Sequence, residues 1–172
     1  MRRGHKDEFL GLAVADITCH IFFVPCEEAG PMVPAKLPKT MAECTKIHIG
    51  RTCTELLWNA DINCLVICTS DGWVMTYNFW ELLELHTMAR PKFVHKVTTE
   101  PITAAMCVRH KVVCGTLTGD LVVCSLIAET GVTNPCYVVG QPAKRPGGIR
   151  TLHFLPSTNL ILCGGESPDP TA

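Results

Sequence analysis

Short runs of apolar residues, many of them β-branched, alternate with turn-forming residues along almost the whole chain. Runs of five to eight such residues bounded by Gly, Pro, Asn and Asp are typical of short β-strands. The pattern therefore predicts an all-β protein with about thirteen strands. The predicted strands are Phe9–Ala15, Cys19–Val24, Thr45–Ile49, Cys53–Trp58, Cys64–Thr69, Trp73–Phe79, Lys92–Val97, Ile102–Val108, Lys111–Thr116, Leu121–Leu126, Cys136–Val139, Ile149–Phe154 and Leu160–Cys163.

Helical periodicity is confined to one short segment, Trp80–Arg90. Because no long helices separate the strands, a parallel βαβ arrangement is disfavoured and antiparallel sheets are expected. Several strands, such as Leu121–Cys124, show no alternation of apolar and polar residues. A sheet with one solvated face should alternate, so these strands are expected to lie in sheets covered on both faces.

The turns recur with a period. Three polar hairpin turns, at 59–63, 109–111 and 156–159, each join two apolar strands. Gly72 and Gly119 each lie nine residues after a hairpin residue, Asn63 and His110. In the strands that follow, Tyr77 corresponds to Cys124 at a step of 47 residues. A period of about 40–50 residues is typical of a four-stranded propeller blade.

The segment Cys53–Asn78 resembles the WD40-repeat β-propeller family, with a strand, a polar turn, a second strand, Ser70-Asp71-Gly72 and a third strand. Tyr77-Asn78 stands where the family has its Trp-Asp pair, and no repeat opens with Gly-His, so the repeat is degenerate. The resemblance implies antiparallel four-stranded blades and binding of proteins. It also implies that Asp71 ties its turn to neighbouring strands by hydrogen bonds. The recurrence of the turns, separately, indicates Gly72 and Gly119 as structural turn residues.

The strand count predicts an incomplete WD40-like propeller of just over three blades. Its expected parts are blade 1 at about 9–49 with a long loop at 27–43, blade 2 at 53–97, blade 3 at 102–139, a partial blade 4 at 149–165 and a tail at 166–172. Propellers typically close with 4–8 blades. Three interpretations stay open: a fragment of a longer polypeptide, a propeller completed by a partner or second copy, or a closed smaller β-fold.

Composition agrees with extensive burial. Of the 172 residues, 47% are hydrophobic and 18% charged, and the formal net charge is −1. This balance provides no general attraction to nucleic acid or anionic membranes. The charged N-terminus has no apolar signal-peptide core, and no apolar run approaches the length of a membrane span. The expected location is intracellular, cytoplasmic or nuclear, without membrane insertion.

The eleven cysteines form no C-x-x-C pair, the spacing from which structural zinc sites are usually built. Most lie within apolar runs, where cysteine acts as a small buried hydrophobic residue. We therefore expect reduced structural thiols and neither a metal site nor a cofactor.

No spacing of Ser, Cys, His and Asp indicates a catalytic set, so an enzyme is not expected. The candidate interaction residues are Trp73 and Trp80, which are either exposed contact residues or covers of sheet edges, and the basic cluster Lys144, Arg145 and Arg150. The favoured hypothesis is a non-enzymatic protein–protein interaction scaffold within a larger intracellular assembly. The alternative is a component of a ribonucleoprotein that contacts RNA through the basic 144–150 loop.

Overall fold

The computed structural model of the chain describes residues 8–15, 18–26, 45–85, 89–127, 136–140 and 147–165. Side chains are described from Ile47 onward within those ranges, except those of residues 83–85. The predicted loop at 27–43, the basic residues Lys144 and Arg145, and the tail at 166–172 lie outside the described residues.

The described residues form thirteen strands and one short helix, and all strand pairing is antiparallel between neighbours in sequence. The first sheet has three strands, the second and third have four each, and the fourth has two. Their bounds are β1 (Glu8–Ala15), β2 (Thr18–Cys26) and β3 (Thr45–His48); β4 (Cys53–Asn59), β5 (Cys64–Thr69), β6 (Trp73–Asn78) and β7 (Phe93–Lys96); β8 (Ile102–Val108), β9 (Lys111–Thr116), β10 (Leu121–Ser125) and β11 (Cys136–Gly140); β12 (Thr151–Leu155) and β13 (Leu160–Gly164). The predicted all-β class with antiparallel four-stranded sheets is confirmed at this level.

The helix α1 spans Phe79–Leu85, shorter than the predicted 80–90. It begins after Asn78, whose Oδ1 accepts hydrogen bonds from the backbone N–H groups of Trp80 (2.9 Å) and Glu81 (3.4 Å). Asparagine at this position satisfies N–H groups that have no partner within the helix. Arg90 is not helical, because it precedes Pro91 and the residue before a proline disfavours the α conformation.

All three predicted hairpin turns are present, and each contains a residue in the left-handed conformation. These residues are Asn63 (φ 52°), Arg109 (φ 53°) and Asn159 (φ 58°). Asparagine tolerates this conformation better than most residues, which explains two of the three positions. In the second, third and fourth sheets this turn joins the first two strands, through four connecting residues in the second and fourth and two in the third.

Apolar side chains fill the space on both faces of the middle sheets. The first and second sheets share a cluster that includes Ile47, Ile67 and Tyr77. The second and third share another that includes Val66 and Val112, and the third and fourth share one that includes Val113 and Ile149. Every residue of β5 and β10 is buried. Strands with two buried faces have no need of polar alternation, as their sequence indicated.

The first strands of successive sheets are neighbours, since β8 contacts β4 on one side and β12 on the other. Polar groups reinforce these contacts. Asn59, only 2% exposed, donates from Nδ2 to the backbone carbonyl of Arg109 (2.7 Å), which joins the second sheet to the third. Its Oδ1 accepts from the N–H groups of Asp61 (3.1 Å) and Ile62 (3.3 Å). Between the third and fourth sheets, Thr103 Oγ1 donates to the carbonyl of Ile149.

We expect Asn59→Ala to lower the free energy of unfolding by about 1–3 kcal/mol, because it removes three hydrogen bonds that the buried side chain makes with backbone groups. Urea denaturation followed by circular dichroism measures the loss. The control is Ser157→Ala, at an exposed position of the fourth sheet's hairpin, with an expected change within about 0.5 kcal/mol. Equal stability of the two variants would contradict the role given to Asn59.

Candidate interaction site

The turn between β5 and β6 is held by a polar network around Asp71. Thr69 Oγ1 donates to Asp71 Oδ1 (2.7 Å) and accepts from the backbone N–H of Trp73 (3.1 Å). Asp71 Oδ2 is paired with the guanidinium of Arg51, which lies before β4. Asp71 therefore links its turn to Arg51 in the segment that precedes β4.

Gly72 follows in this turn with φ +85°, a conformation that favours glycine. A Cβ at this position would overlap the carbonyl oxygen of Thr98. The Gly72 carbonyl also accepts a hydrogen bond from the N–H of Val97 (2.9 Å). The turn is thus packed directly against the chain that follows β7, and glycine is required by both conformation and space.

The equivalent turn of the third sheet is built differently. Gly119 again has a positive φ (91°), and Thr116 Oγ1 accepts from the N–H of Asp120 (2.9 Å), as Thr69 does for Trp73. Thr118 occupies the position of Asp71, so no carboxylate stands there. The two turns therefore share their backbone geometry, but the third sheet has no equivalent of the ion pair between Asp71 and Arg51.

Opposing influences act on the pKa of Asp71. Desolvation raises it, but the hydrogen bond from Thr69 and the positive charge of Arg51 lower it more, so that the net shift is downward. The carboxylate is the form that these partners stabilise. Because both side chains of the ion pair remain more than a third exposed, the pair contributes little to stability.

The candidate tryptophans lie in two places. Trp80 is exposed and contacts Phe79, which in turn packs edge-on against exposed Trp58 (centroids 5.4 Å apart). Trp73 lies at the other end of β6, half-buried, with the guanidinium carbon of Arg51 4.6 Å from its ring centroid. The structure therefore brings Trp58 and Trp80 into one aromatic group and separates Trp73 from it.

Of the predicted basic cluster, the structure describes Arg150, which is exposed. The preceding Gly148 has φ +65° and lies against the backbone carbonyls of Thr116 and Leu117, where a Cβ would overlap them. Ile149 N–H donates to the Thr116 carbonyl (3.0 Å). This glycine is needed for the close approach of the fourth sheet's chain to the third sheet, a role that the sequence interpretation of the 144–150 loop as an RNA contact did not include.

On its outer face the fourth sheet exposes two leucines that were not among the candidate interaction residues. The third residue of β5 is Val66, that of β9 is Val113 and that of β13 is Leu162. Val66 and Val113 are 0% and 2% exposed because the next sheet covers each, whereas Leu162 is 51% exposed. Leu160, two residues earlier on β13, is 55% exposed. The sequence of β13 is apolar, like that of β5 and β9. An apolar sequence does not show whether another sheet covers the strand.

A groove lies beside this surface where the two-stranded fourth sheet meets the wider third sheet. It is lined by residues of both sheets, among them Lys111, Val123, Tyr137, Phe154, Asn159 and Ile161. Tyr137 and its neighbours Val138 and Val139 on β11 are exposed. The groove and the exposed leucines Leu160 and Leu162 lie on opposite faces of β13, since Ile161 packs toward the third sheet.

Of the eight cysteines whose side chains the structure describes, four are buried and four are partly buried, and no disulfide joins any of them. Burial raises the pKa of Cys64 to about 11 and that of Cys107 to about 12. The pKa of Cys68 is also raised, by its hydrogen bond with Cys114 and by burial. In the part of the chain that the structure describes, no group of three or more His, Cys, Asp or Glu side chains is arranged to hold a metal ion. No helix among the described residues has the length and apolar character of a membrane span.

No protein-family model and no curated protein matches the sequence. Solved structures of similar fold include two computationally designed proteins. For the Ika4 protein the TM-score is 0.54 at 15% identity, covering 95% of this chain and 88% of that one. For the Ika8 protein the TM-score is 0.52 at 14% identity, covering 94% of this chain and 44% of that one. At such identities the likeness concerns the fold alone.

We expect Asp71→Asn to lower stability at pH 7 by at most about 1 kcal/mol, the usual range for an exposed ion pair. The pKa of Asp71 is lowered in the folded protein, so its stabilisation is present above the unfolded pKa and is lost as pH falls through the folded pKa. The difference between wild type and variant should therefore shrink in acid. Thermal unfolding between pH 3 and pH 7, with Asp61→Asn as the control, measures it. A difference that persists undiminished at the acidic end would contradict this assignment.

Proposed function

We propose that the chain is a segment of a WD40-like β-propeller and that it acts as a non-enzymatic scaffold for protein–protein interaction within a larger intracellular assembly. Its incomplete end binds a further antiparallel β-sheet, supplied by another polypeptide or by a second copy of the chain. The proposal joins the family resemblance to one structural observation, the uncovered face of the fourth sheet.

The observation that carries the proposal is the series Val66, Val113 and Leu162. These residues occupy the same place in three successive sheets, and the first two are covered by the next sheet in the stack. Leu162 and Leu160 present a similar apolar surface with no described sheet over it. Exposed apolar patches of this kind mark interaction sites in folded proteins.

The arrangement of strands also supports the proposal. The first strands β4, β8 and β12 are successive neighbours, as the inner strands of adjacent propeller blades would be. The fourth sheet stops at two strands within the described residues, so β13 is an edge with unpaired backbone groups. A docked β-sheet would cover the apolar face, and a docked strand would pair with this edge.

The proposal is tested by size-exclusion chromatography with light scattering on the wild type and on Leu160→Lys/Leu162→Lys. We expect the wild type to exceed its monomer mass of 18.8 kDa as concentration rises and the double variant to stay monomeric. The matched control is Val94→Lys/Leu117→Lys, which places two lysines at exposed apolar positions elsewhere and should behave as the wild type.

A partner other than a second copy is tested with the same variants in an affinity purification from cells. We expect proteins retained by the wild type and the control to be lost from Leu160→Lys/Leu162→Lys. A wild type that is monomeric at all concentrations and retains the same proteins as the double variant would contradict the proposal. Retention of RNA that falls steeply with salt would instead favour the ribonucleoprotein alternative.

A further inference from the structure

Two cysteines face each other across the outer pair of strands of the third sheet. Cys124 of β10 and Cys136 of β11 are directly opposite in the antiparallel register. Their sulfur atoms are 2.7 Å apart. Opposite residues in antiparallel strands have Cα atoms about 4.5 or 5.5 Å apart. Both values fall within the range of about 4.4–6.8 Å that a disulfide requires.

The two thiols differ in access. Cys124 is fully buried in the cluster between the second and third sheets. Cys136 is only partly buried and begins β11, which has a single neighbouring strand in the described sheet. An oxidant that reaches the partly exposed Cys136 therefore meets the Cys124 sulfur directly beside it.

The two thiols also differ in which one loses its proton. In the neutral pair the Cys136 thiol donates to Cys124 Sγ. Once Cys136 loses its proton, the Cys124 thiol donates to it, and this hydrogen bond lowers the pKa of Cys136 although burial opposes the shift. The same hydrogen bond, together with burial, raises the pKa of Cys124. The thiolate, which is the reactive form, thus resides on Cys136.

We propose that Cys124 and Cys136 form a redox-active dithiol that a hydroperoxide converts to a cross-strand disulfide. The Cys136 thiolate attacks one peroxide oxygen, the O–O bond breaks, and the hydroxide that leaves takes up a proton to become water. Cys136 is then a sulfenic acid. The Cys124 sulfur gives up its proton and attacks the Cys136 sulfur, the S–O bond breaks, and a second water leaves. Two thiols are oxidised and one hydrogen peroxide is reduced to two waters.

The product would fasten the outer strand β11 to the rest of its sheet. β11 follows β10 after a connection of ten residues, 126–135. A covalent link at Cys136 would anchor the end of β11 at which this connection arrives. The inference concerns this sheet alone and is independent of the proposed scaffold role.

The test is peptide mapping of the full chain after treatment with hydrogen peroxide and alkylation of the remaining thiols. Cleavage by trypsin and a Glu-specific protease, after Lys111, Glu129 and Lys144, places Cys136 in peptide 130–144 and Cys124 with Cys114 in peptide 112–129. We expect these two peptides to be joined, with fragmentation assigning the bond to Cys124, and to separate on reduction. Cys163→Ser, which removes another half-buried cysteine, should leave the joined species unchanged.

The joined peptides should be lost in Cys124→Ser, with Cys136 oxidised further to the sulfinic or sulfonic acid instead. If that variant does not fold, the wild-type map alone decides the outcome. The proposal is overturned if wild-type Cys136 remains alkylatable or becomes overoxidised without a bond to Cys124, or if it is joined to Cys114.

Discussion

The structure depends on sheets that are apolar on both faces and must therefore be covered on both. β5 illustrates the constraint, since Leu65 and Ile67 pack toward the first sheet while Cys64, Val66 and Cys68 pack toward the third. Leaving either face in water would expose a row of large apolar side chains, each worth about 1.5–3 kcal/mol on burial. A sheet of this kind is stable only when other sheets cover both of its faces.

Hydrophobic packing alone does not fix how neighbouring sheets are aligned. A few polar contacts between the sheets determine that alignment. Asn59 connects the hairpin of the second sheet to that of the third, and Thr103 connects the third to the chain entering the fourth. Gly148 also contributes to this alignment, because without a side chain its backbone can lie against the carbonyl groups of Thr116 and Leu117. These contacts are directional, so each sets the position of one sheet on the next.

Much of this fold could be predicted from the sequence because β-strand runs and hairpin residues such as Asn63 and Asn159 are local signals. Other features depend on what lies opposite in space. Leu162 and Val113 belong to similar strands, and only the neighbouring sheet makes one exposed and the other buried. Asn59 is indistinguishable from an ordinary turn asparagine until Arg109 is placed beside it. Cys124 lies opposite Cys136 because of the register between β10 and β11. The sequence of the two strands does not determine that register when ten residues connect them.

The most direct measurement is hydrogen exchange followed by mass spectrometry over a range of protein concentrations. We expect strong protection of β5, β6, β9 and β10 at every concentration, because both faces of their sheets are covered. β13 should exchange rapidly in dilute solution and become protected as the chain associates. Protection of β13 equal to that of β9 in a dilute monomer would contradict the account, since it would mean that the fourth sheet is already covered within one chain.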